Sequence, residues 1–227
     1  MRRESQELQE SRESNEARRK RAGRVLDRLD AEMPEAKIEL NYRTPLELLV
    51  AVMLSAQCTD KRVNLVTPAL FERFPTAEDY AAATPELIEP WIKSCGLYRS
   101  KAKNLVATAR SLVAEHGGQV PRLRETLTQL PGVGLKTAGV VATHLGGVPA
   151  LAVDTHIKRL SVRLGFSTAT DPNKVEADLS ALWPPERWMK AHQLLIWHGR
   201  RTCFARAPEC GRCVIRMLCP RIGVAST

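Results

Sequence analysis

Aromatic side chains are scarce in this sequence. They make up 5% of the 227 residues, whereas hydrophobic residues as a whole make up 44%. The chain can therefore bury a sizeable core, but that core must consist mainly of Leu, Val, Ile and Ala, a mixture that favours helices. No alternation of apolar and polar residues is long enough to predict a strand. The composition predicts an all-α fold arranged as one large domain or two small ones.

Long apolar runs are also absent. None reaches the length that spans a membrane, and the first ten residues, MRRESQELQE, contain no apolar stretch of the kind found in a signal peptide. We therefore expect a cytoplasmic protein without a membrane-spanning segment. In a reducing compartment, the six cysteines are not expected to form disulfides.

Acidic residues are outnumbered by basic ones. The chain has 34 Lys and Arg against 25 Asp and Glu, a net charge of +9. Such an excess favours a polyanionic partner, either nucleic acid or an anionic membrane, over a basic surface without a partner. Residues 1–24 are densely charged and almost free of apolar side chains. They predict a flexible, solvated tail that leads into a helix within RVLDRLDAEMP.

A glycine turn joins two helical patterns in LTQLPGVGLKTAGVV, which runs from Leu127 to Val141. Gly132 and Gly134 can take positive φ or allow another backbone to come close. A turn that enters a helix presents free N–H groups and the positive end of the helix dipole, which together can bind a phosphate. An ordinary tight turn between packed helices is the alternative.

Lys136 lies in the first turn of the helix that follows these glycines. A neutral lysine amine can attack a sugar carbon and form a Schiff base. The helix N-terminus and partial burial would both favour the neutral amine. The alternative is a lysine whose ammonium group reaches water. Asp154, just before THIKRL, is well suited to cap the helix that begins there.

Four cysteines are clustered near the end of the chain, at positions 203, 210, 213 and 219, with the spacing C-x6-C-x2-C-x5-C. Such a cluster in a cytoplasmic protein indicates a metal site. The spacing is compatible with zinc and with an iron–sulfur cluster. Cys58 and Cys95 lie in apolar helical surroundings and are expected to be core residues.

Several separate motifs, taken together, resemble the endonuclease III family of DNA glycosylases, in the helix–hairpin–helix superfamily. They are LPGVGLKTAGVV, VDTHIKRL from Val153 to Leu160, LLSAQCTD with Gln57, and GLYRSKA with Leu97. The resemblance covers about residues 25–220 and implies two helical lobes with a DNA-binding cleft. A six-helix lobe, 38–148, would hold the hairpin, and a second lobe, 25–37 plus 149–227, would hold the cysteines.

The resemblance implies a bifunctional DNA glycosylase and abasic-site lyase that excises oxidised pyrimidines in base excision repair. Lys136 would attack C1′ and form a Schiff base, Asp154 would assist departure of the base, and β-elimination would cleave the strand. We expect the two groups to face a common cavity without a tight salt bridge. One alternative, an adenine glycosylase acting on mispairs, would lack Lys136 and carry a further C-terminal domain. A non-catalytic helix–hairpin–helix DNA-binding protein with a structural metal site is another.

The resemblance also implies the remaining binding residues. Gln57 and Leu97 would fill the gap that the extruded base leaves in the duplex. Other expected DNA contacts come from Gly132, Gly134, Thr137, His156 and Arg206. The metal ligands Cys203, Cys210, Cys213 and Cys219 would bind a [4Fe–4S] cluster that acts as a scaffold. The expected partner is double-stranded DNA with damaged bases or abasic sites, bound by a nucleoid-associated monomer.

Overall fold

The computed structural model describes residues 13–147 and 150–225. Within these ranges all regular structure is helical and no strand is present, which confirms the all-α prediction. None of these helices is long and apolar enough to cross a membrane. In chain order they are α1 (Asn15–Glu32), α2 (Pro45–Ser55), α3 (Asp60–Arg73), α4 (Ala77–Ala82), α5 (Pro85–Ile92), α6 (Tyr98–His116), α7 (Arg124–Leu127), α8 (Leu135–His144), α9 (Thr155–Arg163), α10 (Pro172–Ser180) and α11 (Trp188–Arg201).

The described residues form two compact units. One spans 38–152 and contains α2 to α8; the other combines the described residues up to 37 with those from 153 onward. The predicted boundary of the second lobe at residue 149 is too early, because Ala150 to Ala152 are buried and belong to the first unit. The Ala150 amide donates to Thr143 Oγ1 at 2.9 Å, which holds this segment against the end of α8.

The 38–152 unit is built around α2. Its sequence, PLELLVAVMLS, is apolar on every face, and Leu48 to Leu54 are all buried. A helix that is hydrophobic all round is stable only inside a core. Accordingly, α2 packs against α3, α6 and α8, while α4 and α5 pack against α6.

The sequence pattern does not predict helix α4. This unit therefore has seven helices among the described residues, one more than the six predicted. Six residues are too few for a helical periodicity to stand out. The signal that was present is a capping box. The Thr76 side chain accepts from the Asp79 amide at 3.2 Å, and Asp79 Oδ2 accepts from the Thr76 amide at 2.9 Å.

The predicted flexible tail is wrong for residues 15–24, because α1 begins at Asn15. Residues 1–12 of that predicted tail lie outside the described residues. The high charge of residues 1–24 gives no sign of the apolar stripe of α1, which starts inside the predicted tail. Ala22 is fully buried, as are Val25, Leu26 and Leu29. Arg21 strengthens the packing by donating to the carbonyls of Leu164 and Leu218 at 2.8 and 3.1 Å.

Candidate active site and metal centre

The glycine hairpin of the 38–152 unit connects α7 to α8. Its apolar residues Leu127, Leu130 and Val133 are buried and fix the turn to the core. The Pro131 carbonyl accepts a hydrogen bond of 2.5 Å from Thr108 Oγ1 on α6. The hairpin is therefore held against the core of this unit.

The two hairpin glycines differ in what the fold requires. Gly132 has φ +74°, as predicted, and a Cβ built on it would lie 2.6 Å from Asn104 Cβ. Gly134 has φ −81° and is the N-cap of α8, so of the two predicted reasons for glycine only the close approach of another backbone remains there. Among the described residues, a Cβ on Gly134 would meet no heavy atom within 4 Å apart from its chain neighbours. The fold therefore leaves open space beside Gly134, the N-cap of α8.

The N-terminus of α8 carries Lys136 in its first turn and has no side-chain cap. Its first residue, Leu135, is 55% exposed, Lys136 is exposed, and Thr137 is half-buried. The predicted partial burial of Lys136 is wrong. The buried face of α8 is formed instead by Ala138, Val141 and Ala142, so the lysine points away from the core.

Asp154 caps α9 as predicted. Its Oδ1 accepts from the Ile157 amide at 2.8 Å, and the residue is half-buried. The cap holds the carboxylate in one place at the helix N-terminus, where the dipole favours a negative charge.

Gln57 and Leu97 share an unusual backbone conformation. Their φ angles are +53° and +47°, in the left-handed region that non-glycine residues rarely occupy. Both side chains are exposed, and the Leu97 side chain is 60% exposed. Strained backbone and an exposed apolar side chain are costly for stability and are often found at binding sites.

The four clustered cysteines line one cavity in the second unit, together with Arg163, His198 and Ile215. Burial raises the pKa of the Cys213 and Cys219 thiols. Among the described residues, no three Cys, His, Asp or Glu side chains converge on a single metal ion. Four thiolate donors on one cavity suit either a zinc ion or an iron–sulfur cluster.

Two arginines of α9 contact the first cysteine, and neither is among the site residues predicted from the sequence. Arg159 Nη2 donates to the Cys203 carbonyl at 2.9 Å and to the Gly199 carbonyl at 2.8 Å. Arg163, 8% exposed, donates to Cys203 Sγ at 3.2 Å and to the Phe204 carbonyl at 2.6 Å. Their spacing of four residues places them on one helix face, and this is the only feature of the sequence that indicates a shared role.

Two histidines also lie near the cysteine segment. Burial, together with the charge of Arg212, lowers the pKa of His198 to about 4, so this ring is neutral at pH 7. Its Nε2 is 3.6 Å from Cys213 Sγ. His156 Nδ1 lies 3.2 Å from Arg159 Nη2, so this ring contacts an arginine that also binds the Cys203 carbonyl. Arg206, in contrast, is exposed on the loop between the first two cysteines.

Known proteins resemble this chain over most of its length. Residues 50–185 match the model of the HhH-GPD superfamily base excision DNA repair protein. Endonuclease III of Synechocystis is 48% identical over 204 residues, which are 89% of this chain and 93% of that relative. The chain belongs to the endonuclease III family. The endonuclease III of Escherichia coli is 44% identical over 86% of this chain and 92% of its own length.

Solved endonuclease III structures have the same fold. A trapped endonuclease III–DNA covalent intermediate superposes with a TM-score of 0.85 and 45% sequence identity, covering 89% of this chain and 96% of that one. A non-covalent endonuclease III–DNA complex gives the same TM-score and identity and covers 95% of its chain. The predictions of the endonuclease III family and of a base excision repair DNA glycosylase are confirmed.

Proposed function

We propose that this endonuclease III family member is bifunctional, excising oxidised pyrimidines from DNA and then cleaving the strand at the abasic site. The observation that carries the proposal is Lys136, an exposed amine in the first turn of the uncapped helix α8, directly after the glycine hairpin. A related endonuclease III forms a covalent intermediate with DNA, for which a primary amine is a suitable nucleophile.

In the first step, the damaged base is extruded from the duplex. The lone pair of the Lys136 amine forms a bond to C1′ of the deoxyribose while the glycosidic bond breaks. The base leaves with the bonding electron pair and takes up a proton. Because Lys136 is exposed in the free protein, we infer that the bound DNA, and not the protein core, removes water from the amine.

In the second step, the sugar ring opens and the nitrogen–carbon bond becomes an imine. The imine makes the C2′ proton acidic, and its loss expels the 3′ phosphate by β-elimination. Water then hydrolyses the imine and releases the enzyme. Asp154 would stabilise positive charge on the sugar as the base departs and assist these proton transfers, since its carboxylate is held by the cap of α9.

DNA would be held at three kinds of position. The hairpin amides and the N-terminus of α8 would bind a phosphate, which the open space at Gly134 allows to come close. Thr137 lies beside them, and Arg206 would reach a second phosphate from the cysteine loop. Gln57 would contact the orphaned base, and Leu97 would wedge into the stack.

We also propose that the four cysteines bind a [4Fe–4S] cluster. The cavity that they line supports this, as does the Arg163 donor to Cys203 Sγ, since hydrogen bonds to cluster sulfurs stabilise the bound form. The cluster would fix the loop that carries Arg206. The steps at C1′ and C2′ are carried out by protein side chains.

Strand cleavage tests the proposed function. The protein is incubated with a duplex that contains one abasic site and with a duplex that contains one thymine glycol. We expect both to be cut at the lesion, the second with release of the free base. Binding of both duplexes without cleavage would identify a non-catalytic DNA-binding protein. Release of the base without strand cleavage would leave a glycosylase without lyase activity.

A further inference from the structure

Lys101 is a buried lysine that takes no part in the proposed chemistry. It lies in α6 and is 7% exposed, and its ammonium group donates to backbone carbonyls. Its Nζ donates to the Leu54 carbonyl and to the Cys95 carbonyl, each at 2.8 Å. Burial lowers the pKa of its ammonium group. Keeping the charged form at this position therefore costs free energy, which the two hydrogen bonds must offset.

The Leu54 carbonyl lies in the last turn of α2, where four carbonyls lack partners within the helix. Each of them has a partner here: Ser55 Oγ for Val52, the Ala56 amide for Met53, Lys101 Nζ for Leu54, and the Cys58 amide for Ser55. The lysine is therefore part of the C-cap of α2, at the end where a cation is favoured. Gln57 follows two residues after this helix ends.

The second carbonyl belongs to Cys95, the last residue of the 3₁₀ turn Lys93–Cys95. Cys95 is almost fully buried, and two residues later the chain reaches Leu97, which has φ +47° and precedes α6. One ammonium group thus connects the segment before Gln57 with the segment before Leu97. These segments are otherwise far apart in sequence.

We propose that Lys101 is a positioning residue that fixes Gln57 and Leu97 at a set separation for insertion into the gap left by an extruded base. The inference rests on the DNA roles proposed above for these two residues. Both have left-handed backbones, and such conformations persist only where the surroundings hold them. The two hydrogen bonds from the buried Lys101 ammonium group hold the backbone just before both of these residues.

The test compares Lys101→Met with Lys103→Met. Lys103 is an exposed lysine two residues further along α6, so its replacement removes the same charge without touching either loop. Each variant is titrated with a duplex carrying a tetrahydrofuran abasic-site analogue and with the same duplex undamaged. 2-Aminopurine opposite the analogue reports whether the gap is filled. The ratio of the affinity for the abasic-analogue duplex to the affinity for the undamaged duplex measures recognition of the gap. Partial unfolding or weaker general attraction to DNA lowers both affinities and leaves this ratio unchanged.

We expect Lys101→Met to lower this ratio about tenfold, as loss of hydrogen bonds from a charged group does, and to change the 2-aminopurine signal. Lys103→Met should keep the wild-type ratio. In a Gln57→Ala, Leu97→Ala background, Lys101→Met should cause no further loss, because it acts through those two side chains. Lys101→Gln, which keeps an N–H donor on a shorter side chain, is the second variant if Lys101→Met does not fold, and the same comparisons apply.

The outcomes separate the two proposals. If Gln57→Ala and Leu97→Ala keep the wild-type ratio, the DNA roles of those residues are wrong and the inference falls with them. If they lower the ratio and the Lys101 variants do not, the inference alone is overturned. It is also overturned if Lys101→Met lowers the ratio equally in the background that lacks both side chains.

Discussion

The fold needs glycine at position 132 but not at position 134. At Gly132 the backbone is left-handed and a methyl group would collide with Asn104, whereas at Gly134 the backbone is ordinary and the space is open. Within the protein, the N-cap position favours glycine over alanine, but serine, aspartate or asparagine would cap α8 better. Close approach of a DNA backbone would explain the glycine, because any side chain there would separate the α8 amides from a phosphate.

Gly132→Ala and Gly134→Ala should consequently fail in different ways. Urea unfolding should show Gly132→Ala destabilised by about 2 kcal/mol or more, from the left-handed backbone and the contact with Asn104. Gly134→Ala should lose less, about 0.5 kcal/mol, because alanine is a poorer N-cap than glycine but the backbone is ordinary and the space is open. Gly134→Ala should nevertheless bind duplex DNA more weakly in a fluorescence titration. Unchanged DNA binding by a folded Gly134→Ala would contradict the proposed phosphate site.

Helix α9 links two functions on one short element. Its N-cap is Asp154, and its opposite end carries Arg163, which contacts Cys203. Packing of α9 therefore sets the position of a proposed catalytic carboxylate and of the first cysteine within the same unit. A cap and a catalytic group make different demands on residue 154, since the cap needs only an acceptor oxygen and the chemistry needs a charge.

Asp154→Asn separates these demands. Asparagine caps helices about as well as aspartate, so thermal unfolding should stay within about 0.5 kcal/mol of wild type. Excision of thymine glycol should fall by about a hundredfold or more, because the charge that assists departure of the base is gone. Asp154→Ala is the matched variant and should also lose about 1 kcal/mol of stability with the cap. Full activity of Asp154→Asn would show that Asp154 is only a cap.

Local signals were readable from the sequence, and distant contacts were not. The Asp154 cap and Lys136 at the start of α8 follow from residues a few positions apart. Lys101 has a partner 47 residues away, and Arg159 has one 44 residues away, and no periodicity reports such pairs. The exposure of Lys136 was mispredicted for the same reason, since burial depends on what packs against the helix from elsewhere.

At the scale of the whole molecule, two features extend beyond single helices: the net charge of +9 and the four-cysteine cavity. A basic protein that binds phosphates releases counterions on binding, so its affinity for DNA should fall steeply with salt. The cavity supports a cluster that would fix the chain beyond α11, a region whose own regular structure is limited to two short 3₁₀ turns among the described residues.

The cluster can be tested by its metal content. Purified without exposure to air, the protein should be brown and contain iron and not zinc by elemental analysis. Cys210→Ser should lose the colour and unfold at a lower temperature, because cluster binding stabilises only the folded chain. Cys58→Ser, outside the cavity, should keep the full iron content. A colourless protein with bound zinc would contradict the assignment.

The most direct measurement is borohydride trapping of the covalent intermediate. Wild-type protein is mixed with abasic-site duplex and sodium borohydride, and the cross-linked peptide is sequenced by mass spectrometry. We predict one cross-link, at Lys136, and none from Lys136→Gln, although that variant should remain folded and bind the same duplex, since Lys136 is exposed. A cross-link at another lysine, or one that persists in Lys136→Gln, would contradict the assignment of Lys136 as the nucleophile.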